Sequence, residues 1–379
     1  MARNLVIDLN TRVLSEKMQV HLVRPGAKYN LMGVVKSQGV LPADAPFLTL
    51  EDGKGVPQAS KLAPMLERAR VFRAWSTAAK SKRSPMMPTD IDLYRLGLDD
   101  PSKSRMRTAI RNAAHQLLWS IPGGTLVVIP GSYLGANAVL AEIVSRKAPR
   151  HTVFGMNENK RIQYVARELR GLKLVPMRDL PEDVTDAART VRVVSKISGH
   201  AEDRVLRIYY GDYRRAEENV AELVGGSSDF GAAVLGRMID LHMAISHFLD
   251  TGQPMKPGQA LYTAPIAVEP QFHARVDSPD GRTYLGSDKI ATFALKLLLI
   301  VAASGVEPLA ATELIENNCL QVTNSVTGDT VELVEATRNA LINFTVTSGY
   351  ECVADYVRAL QEGLENNQAR IAGSAQIEE

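Results

Sequence analysis

TLVVIP, residues 125–130, is the stretch on which the interpretation of the first half of the chain depends. Four consecutive apolar residues lie between the turn residues Gly123-Gly124 and Gly131, a pattern typical of a buried β-strand. The segment that follows can be interpreted in two ways. If Asn137–Lys147 is a helix, the chain continues as a β-α-β unit. If Ala138–Val144 is a second strand, the chain forms a small antiparallel barrel. Periodicity does not separate these alternatives.

Before this strand, the sequence predicts three short strands and two helices. Turn residues such as Pro25-Gly26 separate the strands, and Ser60 and Ser102 or Ser104 are suitable N-caps for the helices. The predicted strands are Asn4–Leu9, Gln19–Arg24 and Leu31–Val35, and the predicted helices are 60–80 and Arg105–Ser120.

After this strand, the pattern predicts strands in the middle of the chain and helices near its end. The predicted strands are 189–197, 203–213 and a hairpin within 260–286, with a further short hairpin around 327–329. The predicted helices are Asn157–Arg170, Arg214–Val224, Phe230–Asp250, Asp288–Ala303, one from Pro308, Glu332–Thr347 and Tyr350–Asn366, before a frayed tail.

These elements predict an α+β protein. Its N-terminal half is expected to be rich in strands, as a small barrel or a short β-α-β unit, and its C-terminal half to be mostly helical. A chain of 379 residues is long for one core. We therefore expect a basic, strand-containing module at residues 1–190, a mixed region at 191–286 and a helical, acidic region at 287–379.

Composition excludes several classes of protein. Two cysteines, Cys319 and Cys352, are too few for a disulfide framework or for a zinc site with three or four thiolates. The N-terminus lacks the apolar core of a signal peptide, and the apolar run Ile290–Ser304 is short and contains Lys296. We therefore expect a soluble, cytoplasmic protein without membrane association.

Charge is unevenly distributed although the formal net charge is only +2. Residues 68–111 are strongly basic, whereas the region after Ile300 is acidic. This asymmetry indicates either a polyanionic ligand at one end or head-to-tail self-association; a pair of solvated faces is the plain alternative. Basic side chains near aromatic rings offer the phosphate and stacking contacts that nucleic acids use. The candidate nucleic-acid-binding residues are Lys80, Lys82, Arg83, Arg105, Arg107, Arg111 and Trp75.

Catalytic patterns are weak. The glycines at 123–124 and 131–135 follow a strand, but they match neither dinucleotide-binding nor P-loop spacing. Arg237 and His242 have the Arg-x4-His spacing of HEPN-type ribonucleases, although His242 falls on the apolar side of its helix. Glu158-Asn159-Lys160 lacks the preceding acidic strand of a metal nuclease, and His242 with His247 lacks a third ligand. We therefore predict no catalytic residue, metal or cofactor.

One family resemblance covers about half of the chain. Residues 20–35 (VHLVRPGAKYNLMGVV), 113–131 (AAHQLLWSIPGGTLVVIPG), 138–144 (AVLAEIV) and 163–183 (QYVARELRGLKLVPMRDLPED) resemble, in this order, the N-terminal module of Mrr-type restriction proteins. Thr125 stands where the family strand usually has Asp. The resemblance implies a module of a bacterial restriction or phage-defence system and favours the barrel for residues 125–180. It implies no DNA cleavage, because no nuclease core follows.

The resulting hypothesis is a non-catalytic, nucleic-acid-associated subunit of a prokaryotic restriction, antiphage defence or DNA-processing system. Its expected partners are the backbone of DNA or RNA and further protein chains, in a homo-oligomer or a complex. Two alternatives remain. One is a self-assembling shell or filament protein, in which basic and acidic ends of neighbours meet. The other is a HEPN-like ribonuclease toxin that uses Arg237 and His242.

Overall fold

The computed structural model divides the chain into two compact units. We call Met18–Tyr209 the inserted unit, and Met1–Lys17 together with Tyr210–Glu379 the terminal unit, because the inserted unit interrupts it in sequence. The residues that the structure describes are 3–26, 29–46, 48, 65, 68–71, 108, 110–133, 135–144, 151–157, 160–189, 193–215, 218–224, 232–255, 271–274, 282–287, 290–326, 331–366 and 368–378.

The inserted unit contains a mainly antiparallel sheet. Its strands run in the order β4-β8-β6-β5-β3-β9, with β7 beside β8. Among the described strand pairs of this sheet, β3 and β5 are parallel and the others are antiparallel. The strands are β3 (Val20–Val23), β4 (Val40–Pro42), β5 (Leu126–Ile129), β6 (Asn137–Ile143), β7 (His151–Asn157), β8 (Lys160–Pro176) and β9 (Val194–Ile197). The helices are α1 (Met32–Gln38), α2 (residues 110–120, ending in the π-helical turn Gln116–Ser120), α3 (Glu182–Arg189) and α4 (His200–Tyr210).

Both faces of the central strands are buried. Every residue of β5 is fully buried, as are the apolar residues of β6. The strand interpretation of residues 138–144 is therefore confirmed, whereas the helix 137–147 and the β-α-β unit are wrong. The described strands form an open path rather than a closed barrel.

Two further predictions for the inserted unit are wrong, for different reasons. The helix predicted at Asn157–Arg170 is the long strand β8, because burial on both of its faces puts apolar residues at helix-like spacing. Conversely, the strand predicted at residues 203–213 is mostly helix α4, which follows Gly199 in a left-handed conformation (φ 63°).

The strand predicted at Leu31–Val35 is wrong as well. It belongs to the start of α1, which ends at Gly39. Gly39 has φ 63° and its amide donates to the carbonyl of Val35, a left-handed helix end that glycine adopts without strain. The helix predicted at Arg105–Ser120 is present over its described residues, and residues 65 and 68–71 of the predicted helix 60–80 are helical. The rest of helix 60–80 lies outside the described residues.

The terminal unit is built around one buried helix, α6. All of its residues from Ala291 to Ala302 are buried, which explains the most apolar run of the sequence. Other helices and two sheets surround it. The helices are α5 (Ala232–Thr251), α6 (Ala291–Ala303), α7 (Pro308–Glu316), α8 (Val331–Ser348) and α9 (Tyr350–Asn366). The strands are β1 (Asn4–Asp8), β2 (Arg12–Leu14), β10 (Tyr213–Arg215), β11 (Glu218–Val224), β12 (Gln271–Ala274), β13 (Arg282–Ser287), β14 (Leu320–Thr323), β15 (Arg370–Ile371) and β16 (Ser374–Glu378).

The sheets of the terminal unit join distant parts of the chain. One has the order β14-β1-β16 and the other β12-β13-β11-β10-β2, with β15 beside β11. The tail predicted to fray therefore forms β16, which pairs antiparallel with β1. The helix predicted at Arg214–Val224 is wrong, since these residues form β10 and β11.

Several predictions for the terminal unit are confirmed. Helices α5, α6, α7, α8 and α9 lie where the pattern places them, and β12 pairs antiparallel with β13 as the hairpin predicted within 260–286. The hairpin predicted around 327–329 lies outside the described residues; before it, β14 pairs with β1, and after it a helix starts at Val331. Strands in the N-terminal half and helices in the C-terminal half confirm the α+β class. Across the described ranges, no helix is both long and apolar enough to cross a membrane.

Candidate functional site

The most unusual buried group of the terminal unit is Lys296, in the centre of α6. Its side chain is fully buried. Its ammonium nitrogen donates to the carbonyl of Leu9 (2.5 Å) and the hydroxyl of Thr11 (2.9 Å), and it lies 2.9 Å from Oδ1 of Asp212. An ammonium group has three N–H donors, so these three oxygens satisfy it completely.

The partner carboxylate, Asp212, is buried too. Its Oδ1 also accepts a hydrogen bond from the amide of Glu222 at 3.1 Å. Burial raises the pKa of Asp212 and lowers the pKa of Lys296, while the attraction between the two charges acts in the opposite direction on each. Because both groups are buried and paired inside the core, they hold strands together rather than reach a substrate.

This ion pair ties together the two chain segments that flank the inserted unit. Leu9 and Thr11 precede β2, and Asp212 precedes β10; the two strands pair in parallel. Asn324 reinforces the first segment, since its amide donates to the carbonyl of Thr11 at 2.6 Å and accepts from the amide of Thr11 at 2.9 Å. The cluster is a structural clamp within the terminal unit.

Arg237 and His242, the ribonuclease candidates, do not converge. Arg237 is exposed and donates to the carbonyl of Ala359 in α9 at 3.2 Å. His242 is only 2% exposed, and its Nε2 lies 3.2 Å from the hydroxyl of Thr292 in α6. The two side chains therefore contact different helices and do not present a common surface to a phosphate.

A second buried polar contact lies between α5 and α9. The hydroxyl of Tyr356 donates to Oδ2 of Asp240 at 3.1 Å. Burial and the negative charge of Asp240 raise the pKa of Tyr356 far above its usual range, so the phenol stays protonated. This contact fixes the packing of the two helices.

Cys352 provides a test of the environment of α9. Burial, and then the carboxylate of Asp355, raise the pKa of its thiol. Because the thiolate is the reactive form, we expect Cys352 in a Cys319→Ser variant to react more slowly with a thiol reagent at pH 8 than the same thiol in denaturant. The rate should rise steeply at more alkaline pH. Equal rates in the folded and denatured chains would contradict the burial of this thiol.

The sequence candidates for metal and phosphate chemistry find no support. In the part of the chain that the structure describes, no group of three His, Cys, Asp or Glu side chains converges as a metal site. Lys160 opens β8, whereas Glu158 and Asn159 lie outside the described residues. Residues 131–136 connect the antiparallel strands β5 and β6, so they form a turn between strands rather than a phosphate loop before a helix.

Of the predicted nucleic-acid-binding residues, Arg111 lies within the described part of the chain. Lys80, Lys82, Arg83, Arg105, Arg107 and Trp75 lie outside the described residues. Arg111 is exposed on α2, whose inner face contributes Ile110, Ala114, Leu117 and Leu118 to the core of the inserted unit. Its outer face carries the exposed residues Thr108, Arg111, Asn112, His115 and Gln116, spaced at one helical turn. We call these five residues the outer face of α2.

The outer face of α2 is anchored at its C-terminal end. Arg167 in β8 is only 5% exposed, and its guanidinium donates to the carbonyls of Ile121 (2.6 Å), Val144 (3.3 Å) and Leu117 (3.5 Å). A cation at the C-terminus of a helix is favoured by the helix dipole. Arg167 therefore holds the end of α2 against the sheet.

The sequence on either side of α2 contains no acidic residue. No Asp or Glu occurs between Asp100 and Glu142, a stretch that includes Lys103, Arg105, Arg107 and Arg111. Tyr133 lies in the same stretch and is 68% exposed. The sequence alone places Tyr133 only in a turn, because the exposure of a ring depends on the packing around it.

The described geometry thus offers a polar, acid-free helix surface with an exposed arginine, and buried polar groups that are structural. Comparison of the chain with protein-family models, curated proteins and solved structures finds no match.

Proposed function

We propose that the chain binds nucleic acid without cleaving it, through the outer face of α2 and the basic segment that precedes it in sequence. The observation that carries the proposal is the exposure of Arg111, Asn112, His115 and Gln116 on one face of α2, within a stretch that has no acidic residue between Asp100 and Glu142. A polyanion meets no like charge on these residues. The resemblance to Mrr-type modules suggests a prokaryotic restriction, antiphage defence or DNA-processing system as the setting, and the N-terminal sequence suggests the cytoplasm as the compartment.

The chemistry of this face suits a phosphate backbone. A guanidinium donates two parallel hydrogen bonds to phosphate oxygens, and amide side chains such as Asn112 and Gln116 add neutral donors. Contacts of this kind position a nucleic acid without reading its sequence. We therefore expect binding that depends on salt more than on base sequence.

We do not propose cleavage, because the side chains of the two ribonuclease candidates do not converge at a place where one phosphate could bind. Arg237 bonds to the backbone of Ala359, and His242 is enclosed against Thr292. A nuclease that uses both residues needs them at one phosphate.

Arg111→Ala is expected to weaken binding and to lower the slope of log K against log salt by about 1, since one phosphate contact disappears. An electrophoretic or fluorescence titration from about 50 to 200 mM salt measures this slope. The triple variant Lys80→Ala/Lys82→Ala/Arg83→Ala should lower it further.

The matched control is Arg358→Ala, which removes an arginine with a 50% exposed side chain from α9 in the acidic region. It should leave the slope unchanged. Wild-type protein that binds neither DNA nor RNA at low salt would overturn the proposal.

A further inference from the structure

We infer that the inserted unit carries a stacking platform for unpaired bases, formed by Tyr133, Leu172, Leu174 and Arg178. This inference deepens the proposed function, because it specifies single-stranded nucleic acid as the ligand of the same unit. It uses residues that the basic segment does not include.

Backbone pairing brings the platform residues to one end of the sheet. The loop of residues 131–136 joins β5 to β6, and the amide of Met177 donates to the carbonyl of Ala136 at 3.1 Å. Asn137 then pairs with Pro176 at the start of the β6–β8 ladder. Tyr133 in the loop and Arg178 after β8 therefore lie at the same end of the sheet as the C-terminal part of β8.

Leu172 and Leu174, in the C-terminal part of β8, add exposed apolar side chains to the platform on one face of the sheet. Leu174 pairs with Val139 of β6. Although the register with β6 shifts just before Leu172, exposure alternates from Leu172 to Val175, which places both leucines on the same face. Leu174 is 57% exposed and Leu172 is 41% exposed, whereas Val139 beside them is fully buried. Large apolar side chains left in water on a sheet face are typical of a binding surface.

The ring of Tyr133 is held in place although it is exposed. The carbonyl of Tyr133 accepts from the amide of Ala136 at 2.9 Å, which closes a tight turn. The ring itself lies over Gly135: a Cβ atom added there would come within 3.1 Å of its Cε2. An aromatic ring that is exposed and already ordered loses little entropy when a base stacks on it.

The charge of Arg178 completes the platform. Its side chain is 82% exposed, and its Nε lies 3.8 Å from Asp179, a distance too long for a strong ion pair. A guanidinium at the same end of the sheet as a ring and apolar side chains can contact a phosphate while the adjacent base stacks. In a duplex, base faces are already stacked inside the helix, so an exposed ring gains this contact only from an unpaired strand.

The experiment compares Tyr133→Ala and Tyr133→Trp with the wild type, using oligo(dT), oligo(U) and a DNA duplex of equal length. Tyr133→Ala should weaken binding of the single strands about tenfold and leave duplex binding unchanged. Tyr133→Trp should keep the affinity, and its added indole fluorescence should be quenched when a strand binds. The DNA and RNA arms distinguish the two sources of unpaired bases.

A second variant tests the ordering of the ring. Gly135→Ala places a methyl group against the ring and should lower single-strand affinity severalfold while Tyr133 itself remains. Thermal unfolding of each variant should match the wild type, because the altered side chains are at the surface.

The outcomes separate this inference from the proposed function. If Tyr133→Ala binds single strands as the wild type does while Arg111→Ala weakens them, the platform is overturned and the proposed function stands. Equal wild-type affinity for duplex and single strand would overturn the platform as well. If the wild type binds no nucleic acid at low salt, both fail.

Discussion

Lys296→Met is expected to lower the free energy of unfolding of the terminal unit by about 3–5 kcal/mol. The change removes the ammonium group from Asp212, Leu9 and Thr11, and it leaves the carboxylate of Asp212 buried without its cation. A buried charge that has lost its partner costs far more than the pair contributes when intact. Denaturant unfolding, followed by hydrogen exchange of α6 and β1, measures the loss.

The double variant Lys296→Met/Asp212→Leu should recover most of this stability, because it replaces both charges by apolar side chains of similar size. Arg358→Met serves as the control, since it also removes one positive charge but from a side chain that is 50% exposed and paired with Asp355 three residues earlier. Its effect should be small. A single Lys296→Met variant as stable as Arg358→Met would show that the clamp does not hold the terminal unit together.

Arg167→Met is expected to destabilise the inserted unit by about 2–3 kcal/mol. Methionine keeps the apolar stem of the side chain but provides no donor for the carbonyls of Leu117, Ile121 and Val144. These acceptors lie where α2 ends against the sheet, so the C-terminal turn of α2 should lose protection first. Hydrogen exchange of residues 116–121 measures this loss.

The comparison for Arg167 is Arg189→Met, in the same unit. The side chain of Arg189 is 66% exposed, and it forms an ion pair with Asp186, three residues earlier in α3. Its replacement should change stability little. If Arg167→Met and Arg189→Met unfold at the same denaturant concentration, the anchoring role of Arg167 is wrong.

Part of the fold could be predicted from local pattern. Helix α6 is recognisable from its continuous apolar run, and β5 from four apolar residues between glycine turns. Helix α9 shows apolar and charged residues at helical spacing. In α9 the buried residues repeat with the helical period, whereas α6 and β5 are buried on every side and are recognisable from the length of their apolar runs and the turn residues that bound them.

Elsewhere the pattern was misleading. In β8 both faces are covered, so Tyr164, Val165 and Ala166 are all buried and the period of two disappears. In α4 the β-branched and aromatic residues of DRVLRIYY favour a strand, but packing of Ala201, Val205 and Leu206 on one side favours the helix.

Only the positive charge of the candidate site could be predicted from the sequence. The sequence identified Arg111 and its basic neighbours, because charge density is a property of composition. It did not identify Tyr133, Leu172 or Leu174, since their exposure depends on which neighbours the folded sheet places beside them.

By itself, then, the sequence determined the α+β class, the apolar helix α6, the strand at residues 125–130 and the basic-to-acidic asymmetry. Only the tertiary structure decided that β1 pairs with β14 and β16 near the other end of the chain, and that Lys296 meets Asp212. The physical reason is that helix periods and net charge are local quantities. The pairing of strands and the satisfaction of a buried lysine depend on partners that are distant in sequence, which no local pattern specifies.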